Sequence, residues 1–532
     1  MQETLTVLMA QINPKVGAIE ANAKKIMHMI QEQQNHHDVI VFPELALCGY
    51  PPEDLLFQDD FNARIEDALT HIKKITQNTT VILGHPRQKQ RKRYNSASIF
   101  QNSQCIVTYD KQHLPNDGVF DERRYFTPGI EKPCIVSIKN IPCGIVICED
   151  IWQTGPIEQL KQANAHVVFI LNASPFDINK PKRREALLKH HARSGMHLIY
   201  VNQVGGQDEL IFDGQSMAFN NKGQLCARST AFQEDLQQII LDAQNIKGII
   251  TQTKADDALL YDALVFGLKE YVTKNNIPGV LLGLSGGIDS ALTLAIAVDA
   301  LGANRVRTLM LPSCHTADIS LIDAQQQADD LGVDHRVIPI QALFEAMLHT
   351  LNPHFIGSEK GVTEENLQAR IRGTLLMGLS NQLGFMLLNT SNKSETAVGY
   401  STLYGDMCGG FAPIKDVLKT EVYRLARFRN HIKPVIPERV LTRPPSAELA
   451  PNQVDQDTLP DYPTLDAIIT LYMEQHWGVE QMVAEGFDAF VVTKVLKLIK
   501  ANEYKRRQSA PGPKISPCAF GRDYRYPITY DG

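Results

Sequence analysis

A glycine-rich turn between an apolar strand and a helix is the feature that most constrains the fold of this chain. Residues Gly279–Leu284 predict a strand, residues Ser285–Ser290 form the turn, and residues Ala291–Leu301 continue as a helix. A second apolar strand, Val306–Leu311, follows that helix. A strand, a helix and a second strand in this order form a βαβ unit with parallel strands. The second half of the chain is therefore predicted to contain a parallel sheet.

The first half of the chain shows a different pattern, with many short strands and few helices before residue 245. Helices are predicted at Ile19–Glu32 and Arg64–Thr76. Strands are predicted at Thr4–Ala10, Asp38–Phe42, Thr80–Leu83, Cys105–Tyr109, Gly144–Ile147, His166–Leu171 and Leu198–Asn202. So many strands with interleaved helices indicate a large layered α/β or α+β domain.

Length and composition limit the number of domains and the class of protein. A chain of 532 residues suggests three or four domains of ordinary size, or two large ones. Acidic residues (59) outnumber lysine and arginine (53), which gives a net charge of −6 and argues against a nucleic-acid partner. The sequence shows no secretory signal, no apolar run of membrane-spanning length and no CxxC pair among its nine cysteines. We expect a cytoplasmic protein without a membrane partner.

Three residues that follow predicted strands have side chains suited to amide chemistry. They are Glu44, Lys111 and Cys148. A thiol nucleophile needs a proton acceptor and a cation that stabilises the thiolate or an oxyanion. Taken singly, Cys148 resembles an inert buried thiol, and Glu44 and Lys111 resemble solvated loop charges. Three strand ends that carry a carboxylate, an ammonium and a thiol are predicted to meet at one rim.

The segments around these residues resemble the signature of the nitrilase superfamily of carbon–nitrogen hydrolases. The contexts are Phe-Pro-Glu, Lys-x-x-Leu-Pro and Cys-Glu-Asp-x-Trp, in that order. The resemblance covers residues 1–245 and implies a four-layer αββα sandwich. It implies Glu44 as general base, Lys111 as oxyanion stabiliser, Cys148 as nucleophile and Glu122 as support for the lysine. The glutamine-binding residues that it implies are Gly118, Ser174 and Lys180.

The glycine-rich turn is suited to binding phosphate. Its two glycines let the backbone approach an anion, and free N–H groups at a helix N-terminus then bind the phosphate oxygens. Asp289 within the turn is positioned to reach a divalent metal. No lysine follows the glycines, so the loop of kinases and GTPases is absent. A structural turn explains most glycine-rich turns, but the string Ser-Gly-Gly-x-Asp-Ser is much more specific.

This string resembles the pyrophosphate loop of the ATP pyrophosphatases, which cleave ATP to AMP and pyrophosphate. Segments at 363–373, 388–395 and 399–415 resemble the NAD synthetases of that group. The resemblance implies a Rossmann-like parallel-sheet domain over residues 263–532, after a linker at 246–262. The ATP contacts that it implies are Gly283, Leu284, Ser285, Gly286, Gly287, Ile288, Asp289, Ser290 and Thr390, with Mg²⁺ on Asp289 and Glu395. The implied deamido-NAD contacts are Asn366, Glu395, Tyr400, Ser401, Thr402, Leu403 and Lys505.

Other features of the second half allow more than one interpretation. Without the resemblance, Asn366 and Arg370 are ordinary residues of a helix surface. Between residues 505 and 525 there are six basic residues and one acid, which is typical of a solvated face, a small-anion site or, less commonly, nucleic-acid binding. The resemblance assigns Lys505 and Lys514 to the dinucleotide. The family commonly has a tyrosine near His315, and this chain departs from it there. Residues 434–463 hold seven prolines and predict a long irregular loop.

The two resemblances together imply a glutamine-dependent NAD synthetase that covers almost the whole chain. Its substrates are deamido-NAD, ATP and L-glutamine, and a homo-oligomer is expected. A sheltered path for ammonia is expected at a domain or subunit boundary. One alternative is an amidotransferase that acts on a different carboxylate through an adenylate. The other is a nucleotide-sensing or nucleic-acid-binding protein without turnover.

Overall fold

The chain folds into two units, which meet in the sequence between Lys254 and Ala255. The computed structural model describes residues 4–242, 245–355, 361–446, 448–450 and 455–530. The region predicted as a linker, 246–262, contains a short strand of the first unit and the first turns of the helix Asp256–Lys274. Within the described part of the chain, no helix is long and apolar enough to cross a membrane.

The first unit is rich in strands. Its strands are β1 (Leu5–Gln11), β2 (Val39–Val41), β3 (Thr80–Lys89), β4 (Lys92–Gln101), β5 (Gln104–Asp110), β6 (Ile135–Ile138), β7 (Ile141–Ile147), β8 (Val167–Asn172), β9 (His197–Asn202), β10 (Val204–Gln207), β11 (Leu210–Asp213), β12 (Met217–Phe219), β13 (Leu225–Arg228), β14 (Asp235–Leu241) and β15 (Ile246–Lys247). Its helices are α1 (Ile19–Gln33), α2 (Asp59–Ile75), α3 (Pro156–Gln162) and α4 (Lys180–Ala192). Short 3₁₀ turns lie at Glu53–Phe57, Glu122–Arg124 and Cys148–Ile151.

Two large sheets contain all of these strands except β10 and β11, which pair with each other in a small sheet of their own. The seven-stranded sheet has the order β15-β14-β1-β2-β3-β4-β5, and the six-stranded sheet has the order β13-β12-β9-β8-β7-β6. The central pairs β1–β2, β2–β3, β7–β8 and β8–β9 are parallel, and the outer pairs are antiparallel. The carboxyl ends of the parallel strands carry the loops on which the site is built.

Alternation along the strands explains the layers. Leu5, Val7 and Met9 of β1 pack into the core between the two sheets, whereas Leu8 packs with the residues of α1 and α2. Successive side chains of a strand point to opposite faces, so one strand serves both layers. Leu160 of α3 and residues of α4 cover the six-stranded sheet. The predicted four-layer αββα sandwich is confirmed.

The second unit is built around a small parallel sheet. Its strands are β16 (Val280–Gly283), β17 (Val306–Met310), β18 (Asp334–Val337) and β19 (Met386–Leu387). Its helices are α5 (Asp256–Lys274), α6 (Ile288–Leu301), α7 (Asp318–Leu331), α8 (Gln341–Leu351), α9 (Val362–Leu383), α10 (Lys393–Val398), α11 (Lys419–Ile432), α12 (Glu438–Thr442), α13 (Tyr462–Glu474), α14 (Val479–Ala484), α15 (Ala489–Ala501) and α16 (Glu503–Arg506). The 3₁₀ turns of this unit are Ala303–Arg305, Asn352–His354 and Asp455–Asp457.

All neighbouring strands of this sheet are parallel, in the order β18-β17-β16-β19. Leu281 and Leu309 of the sheet pack against Phe344 of α8 and Ile371 of α9. The predicted βαβ unit and the Rossmann-like sheet are confirmed. As in other open parallel sheets, the site forms at the carboxyl ends of the strands.

The proline-rich segment 434–463 is more ordered than one irregular loop. It contains α12, a 3₁₀ turn at Asp455–Asp457 and the start of α13. Pro437 precedes the first turn of α12, and Pro463 lies within the first turn of α13, where a missing N–H costs nothing. Prolines at these positions begin helices, so the prediction of a continuous loop is wrong. Residues 447 and 451–454 lie outside the described residues.

Candidate active sites

In the first unit, the structure brings the predicted carboxylate and ammonium into direct contact. Glu44 follows β2 and Lys111 follows β5, and both side chains are buried. Lys111 Nζ donates hydrogen bonds to Glu44 Oε1 at 2.7 Å and to Glu122 Oε1 at 2.9 Å. Cys148 follows β7 and is also buried. It lies close enough to Glu44 and Lys111 for their charges to affect the pKa of its thiol. The three strand ends therefore meet, as their positions in the sequence predict.

Polar groups that the sequence analysis did not single out hold the two carboxylates in place. Asn95 Nδ2 donates to Glu44 Oε1 at 2.7 Å, and the backbone N–H of Ala173 donates to Glu44 Oε2 at 2.9 Å. Tyr50 OH donates to Glu122 Oε1 at 2.9 Å. One asparagine inside a strand and one tyrosine in a loop carry no spacing signal, so only the fold reveals these contacts.

The charges of the site follow from its burial. Burial disfavours the Lys111 ammonium, but the carboxylates of Glu122 and Glu44 outweigh that cost and raise its pKa well above the usual value. Burial raises the pKa of Glu122 to about 7 even though Lys111 opposes the shift. Burial and the nearby Glu44 carboxylate raise the pKa of the Cys148 thiol well above its usual value. The site therefore holds an ammonium and an un-ionised thiol.

The backbone at Cys148 is unusual for a residue with a side chain. Its φ is +44°, in the left-handed region, where strand β7 turns directly into a 3₁₀ turn. Such a conformation costs free energy and persists only where the surroundings hold it. The turn re-aims the chain at the point where the thiol is presented.

The three residues predicted to bind glutamine lie in different surroundings. Lys180 Nζ lies 4.5 Å from the centre of the Trp152 ring, and burial lowers its pKa while Cys148 opposes that shift. Ser174 is buried after β8, and its backbone N–H donates to Asn202 Oδ1 at 2.9 Å. Gly118 lies on an exposed loop with φ of +55°, which a glycine adopts without strain.

In the second unit, the glycine-rich turn lines a cleft. The turn runs from the end of β16 to the start of α6, and the Ser290 hydroxyl accepts the backbone N–H of Ser285 at 3.2 Å. Gly286 has φ of +77°, and a Cβ there would lie 2.4 Å from the backbone oxygen of Ser320. Only glycine fits this position. All residues from Gly283 to Ser290 line the cleft, together with Thr390, Glu395 and Tyr400.

The two carboxylates predicted to bind metal face a common lysine. Lys419 Nζ donates to Asp289 Oδ2 and to Glu395 Oε1, the latter at 3.0 Å. Asn392 Nδ2 also donates to Asp289 Oδ1 at 2.9 Å. Lys419 is buried, and its two carboxylate partners raise its pKa against the opposing effect of burial. Burial raises the pKa of Glu395 to about 7 even with Lys419 beside it. Lys419 begins α11 and lies in no motif of its own, so its sequence context did not single it out.

The donor atoms of this cleft fit a magnesium ion bound together with substrate. The described residues contain no group of three or more His, Cys, Asp or Glu side chains that could hold a metal by themselves. Mg²⁺ is usually held by one or two carboxylates together with phosphate oxygens and water. Asp289 and Glu395 line the same cleft as the glycine-rich turn that is predicted to bind phosphate, so the residues present fit such a set.

Residues predicted to contact deamido-NAD gather around the loop that follows α10. Thr402 Oγ1 donates to Asn366 Oδ1 at 2.8 Å. Lys505 Nζ donates to the backbone oxygens of Gly399 and Ser401, at 2.7 Å each. Residues distant in the sequence therefore support one loop.

Other contacts join this loop to the cleft or lie apart from it. The backbone N–H of Thr402 donates to Asp406 Oδ1 at 2.7 Å, and Asp406 lines the cleft. Arg370 Nε donates to the backbone oxygen of Leu403 at 3.2 Å, so this arginine is not a free surface residue. Lys514 pairs with Asp523 at 2.7 Å and is not among the residues that line the cleft.

Comparisons with known proteins agree with both halves of this description. The carbon-nitrogen hydrolase family model matches residues 6–250, and the NAD synthase model matches residues 260–509. The glutamine-dependent NAD(+) synthetase of Acinetobacter baylyi is 45% identical over 99% of this chain and 98% of its own length. That of Aquifex aeolicus is 42% identical, with 99% of each chain covered.

Solved structures extend the likeness to three dimensions. The glutamine-dependent NAD+ synthetase of Acinetobacter baumannii, solved with ADP, is 44% identical with a TM-score of 0.81 and covers 99% of this chain and 98% of its own. The enzyme of Cytophaga hutchinsonii has a TM-score of 0.86 at 23% identity, with 99% and 98% covered, and shows the fold alone.

The fold and the two sites define a class of protein in which a carbon–nitrogen hydrolase unit is joined to an NAD synthase unit. Each unit carries its own charged site, one around a buried thiol and one around the glycine-rich turn that lines the cleft. The chain belongs to the family of glutamine-dependent NAD(+) synthetases.

Proposed function

We propose that this chain makes NAD from deamido-NAD, ATP and glutamine, and that its two units divide the work. The family membership makes it a ligase that forms a carbon–nitrogen bond with glutamine as the amide donor. One observation carries the division of labour: a single chain holds a buried Glu–Lys–Cys group in one unit and a phosphate-binding turn in the other. The first unit releases ammonia from glutamine, and the second unit consumes it.

In the first unit, Cys148 attacks the side-chain amide carbon of glutamine. Because the thiol is un-ionised beforehand, Glu44 takes its proton as the sulfur–carbon bond forms. Lys111, held as an ammonium, stabilises the negative oxygen of the tetrahedral intermediate. Glu44 returns the proton to the leaving ammonia, and a thioester remains. Glu44 then activates water, which releases glutamate and the free thiol.

Glutamine itself is placed by neighbouring residues. We assign Gly118, Ser174 and Lys180 to this role, with the Lys180 ammonium available to the carboxylate of the substrate. Its half-buried position against the Trp152 ring, where burial lowers the Lys180 pKa and the charge of Cys148 opposes that shift, supports this assignment.

In the second unit, the turn Gly283–Ser290 binds the phosphates of ATP. Backbone N–H groups at the start of α6 face the anion, and the positive end of the helix dipole adds to the attraction. Asp289 and Glu395 would hold Mg²⁺, which when bound offsets the charge of the leaving pyrophosphate. Thr390 lines the same cleft and is assigned to ATP. The nicotinate carboxylate displaces pyrophosphate from ATP, and ammonia then displaces AMP from the resulting adenylate to give NAD.

The loop after α10 is the proposed seat of deamido-NAD. We assign Asn366, Glu395, Tyr400 to Leu403, and Lys505 to this substrate. The hydrogen bonds of Thr402 with Asn366 and of Lys505 with the loop backbone support the assignment, because they give the loop one defined shape. The loop lies beside the ATP cleft, because Asp406, which lines the cleft, accepts a hydrogen bond from the loop residue Thr402.

We further propose that the protein acts in the cytoplasm as a homo-oligomer. All nine cysteines are free thiols, including Cys148, which must stay reduced to act. Ammonia is the nucleophile, and free ammonia is mostly protonated at neutral pH, so a sheltered path between the sites preserves it. Trapping of external ammonia should leave glutamine-driven NAD formation intact; its complete loss would contradict such a path.

The decisive experiment measures NAD formation from deamido-NAD and ATP with either glutamine or ammonium. Cys148→Ala should abolish the glutamine-driven reaction and leave the ammonium-driven reaction intact, because only the first unit is disabled. Asp289→Ala should abolish both. If Cys148→Ala loses both activities, the division of labour is wrong. Replacing deamido-NAD with other carboxylates, with pyrophosphate release measured, tests an amidotransferase of different specificity.

A further inference from the structure

Asp150 is a buried carboxylate that the proposed chemistry does not use. Four donors surround it. The backbone N–H groups of Gln112 and His113 donate to Oδ1 at 3.0 and 2.8 Å. Tyr109 OH and the backbone N–H of Ile147 donate to Oδ2 at 2.8 and 3.1 Å. Its side chain is fully buried, so it does not contact a substrate.

The donors of Asp150 come from the two segments that carry the reacting groups. Tyr109 and Gln112 flank Lys111, and Ile147 immediately precedes Cys148. Strand β5, which leads to Lys111, belongs to the seven-stranded sheet, whereas β7, which leads to Cys148, belongs to the six-stranded sheet. One carboxylate therefore links the ends of strands from different sheets, at the point where the lysine and the cysteine must meet.

We propose that Asp150 is a positioning residue for glutamine hydrolysis, which holds the Lys111 segment against the turn that presents Cys148. The inference rests on the proposed roles of Lys111 and Cys148. The inference also explains how Cys148 keeps its left-handed backbone. Asp150, within the same 3₁₀ turn, accepts the N–H of Ile147, which is the residue immediately before Cys148. It also explains why the oxyanion-stabilising ammonium and the nucleophile stay in register although they lie on separate sheets.

The chemistry of the four contacts requires a carboxylate. An ionised carboxylate only accepts hydrogen bonds, and here each oxygen accepts two. In Asp150→Asn, the oxygen still serves one pair of donors, but the new amide hydrogens face the other pair. The Tyr109 hydroxyl can rotate to accept, whereas the N–H of Ile147 cannot. A buried N–H beside Cys148 is then unsatisfied, and the turn shifts to relieve it.

The test compares glutamine hydrolysis and ammonium-driven NAD synthesis in the full-length Asp150→Asn variant. We expect kcat for glutamine to fall about 100-fold, the order of effect that a small misplacement of reacting groups produces, while KM changes little. Alkylation of Cys148 by iodoacetamide should slow in parallel. NAD synthesis from ammonium should equal that of the wild type, because the second unit is unaltered.

Asp38→Asn is the matched control. Asp38 also accepts a backbone N–H, from Thr6 at 2.8 Å, but it precedes β2 and so lies at the opposite end of that strand from Glu44. The Asp38→Asn variant should have a less stable first unit, but its kcat for glutamine per folded molecule should equal that of the wild type. Folded fractions are measured for both variants by limited proteolysis.

Each outcome decides the proposal. If kcat of Asp150→Asn equals that of the wild type, or falls only with the folded fraction as in Asp38→Asn, the positioning role is refuted. Should Asp150→Asn not fold, Tyr109→Phe removes one donor and keeps the ring; it should lower kcat less, without raising KM, and an unchanged kcat would refute the role. A wild type that hydrolyses no glutamine would instead refute the proposed function itself.

Discussion

Removal of the Lys419 ammonium is the most informative change in the second unit. This buried cation contacts both Asp289 and Glu395, and among the described residues neither carboxylate has another ion-pair partner. Lys419→Met keeps most of the side-chain volume but leaves two half-buried carboxylates without their common cation. We expect a less stable second unit whose stability magnesium partly restores.

The magnitude follows from the geometry. At 3.0 Å and an effective dielectric constant of about 20, the contact between Lys419 and Glu395 is worth about 5 kcal/mol. Removing one partner of a buried ion pair typically costs about 3–5 kcal/mol, because an uncompensated charge stays behind. We therefore expect Lys419→Met to lower the unfolding free energy of this unit by about 3–5 kcal/mol. In the presence of Mg²⁺, a divalent cation held by Asp289 and Glu395 should restore part of that loss. The unfolding free energy of the wild type should change less when Mg²⁺ is added.

The assay uses the two tryptophans of the chain, one in each unit. In a Trp152→Phe background, the fluorescence of Trp477 reports urea unfolding of the second unit, with and without Mg²⁺ and in the absence of ATP. Lys494→Met is the control, since Lys494 is exposed on α15 and should change stability by no more than about 0.5 kcal/mol. A Lys419→Met variant as stable as this control, or indifferent to magnesium, would refute the reasoning.

Two further predictions concern the first unit. Tyr50→Phe removes a buried hydrogen bond to the Glu122 carboxylate and should lower the unfolding free energy of the first unit by about 1.5–3 kcal/mol. It should also slow glutamine hydrolysis and leave ammonium-driven NAD synthesis unchanged. Equal rates of glutamine hydrolysis in the variant and the wild type would contradict this prediction. Burial lowers the pKa of His85 from 6.5 to about 4, so the unfolded chain binds this proton more readily. The contribution of neutral His85 to the unfolding free energy is fully present above pH 6.5, and about 3 kcal/mol of it is lost as pH drops towards 4. Urea unfolding followed by Trp152 fluorescence should show a flatter pH dependence in His85→Gln, and an identical slope would contradict the assignment.

Much of each site could be predicted because its signals are local. Glu44, Lys111 and Cys148 each stand at the end of an apolar strand, and the glycine-rich turn lies within eight consecutive residues. Strand alternation and glycine-rich strings can be detected within short stretches of sequence, because they reflect local backbone geometry and not contacts with distant residues. The proline-rich segment shows the limit of such windows, because prolines that begin α12 and α13 look the same in the sequence as prolines of a loop.

The sequence by itself determined the layered first unit, the parallel sheet of the second, and the residues whose chemistry each site requires. Only the tertiary structure decided what holds those residues in place. Asn95, Asp150 and Lys419 act on partners that are remote in the chain, and each is an ordinary polar residue in its own segment. The physical reason is that a buried charge needs compensating donors or charges from whichever elements surround it, and packing, not local sequence, chooses those elements.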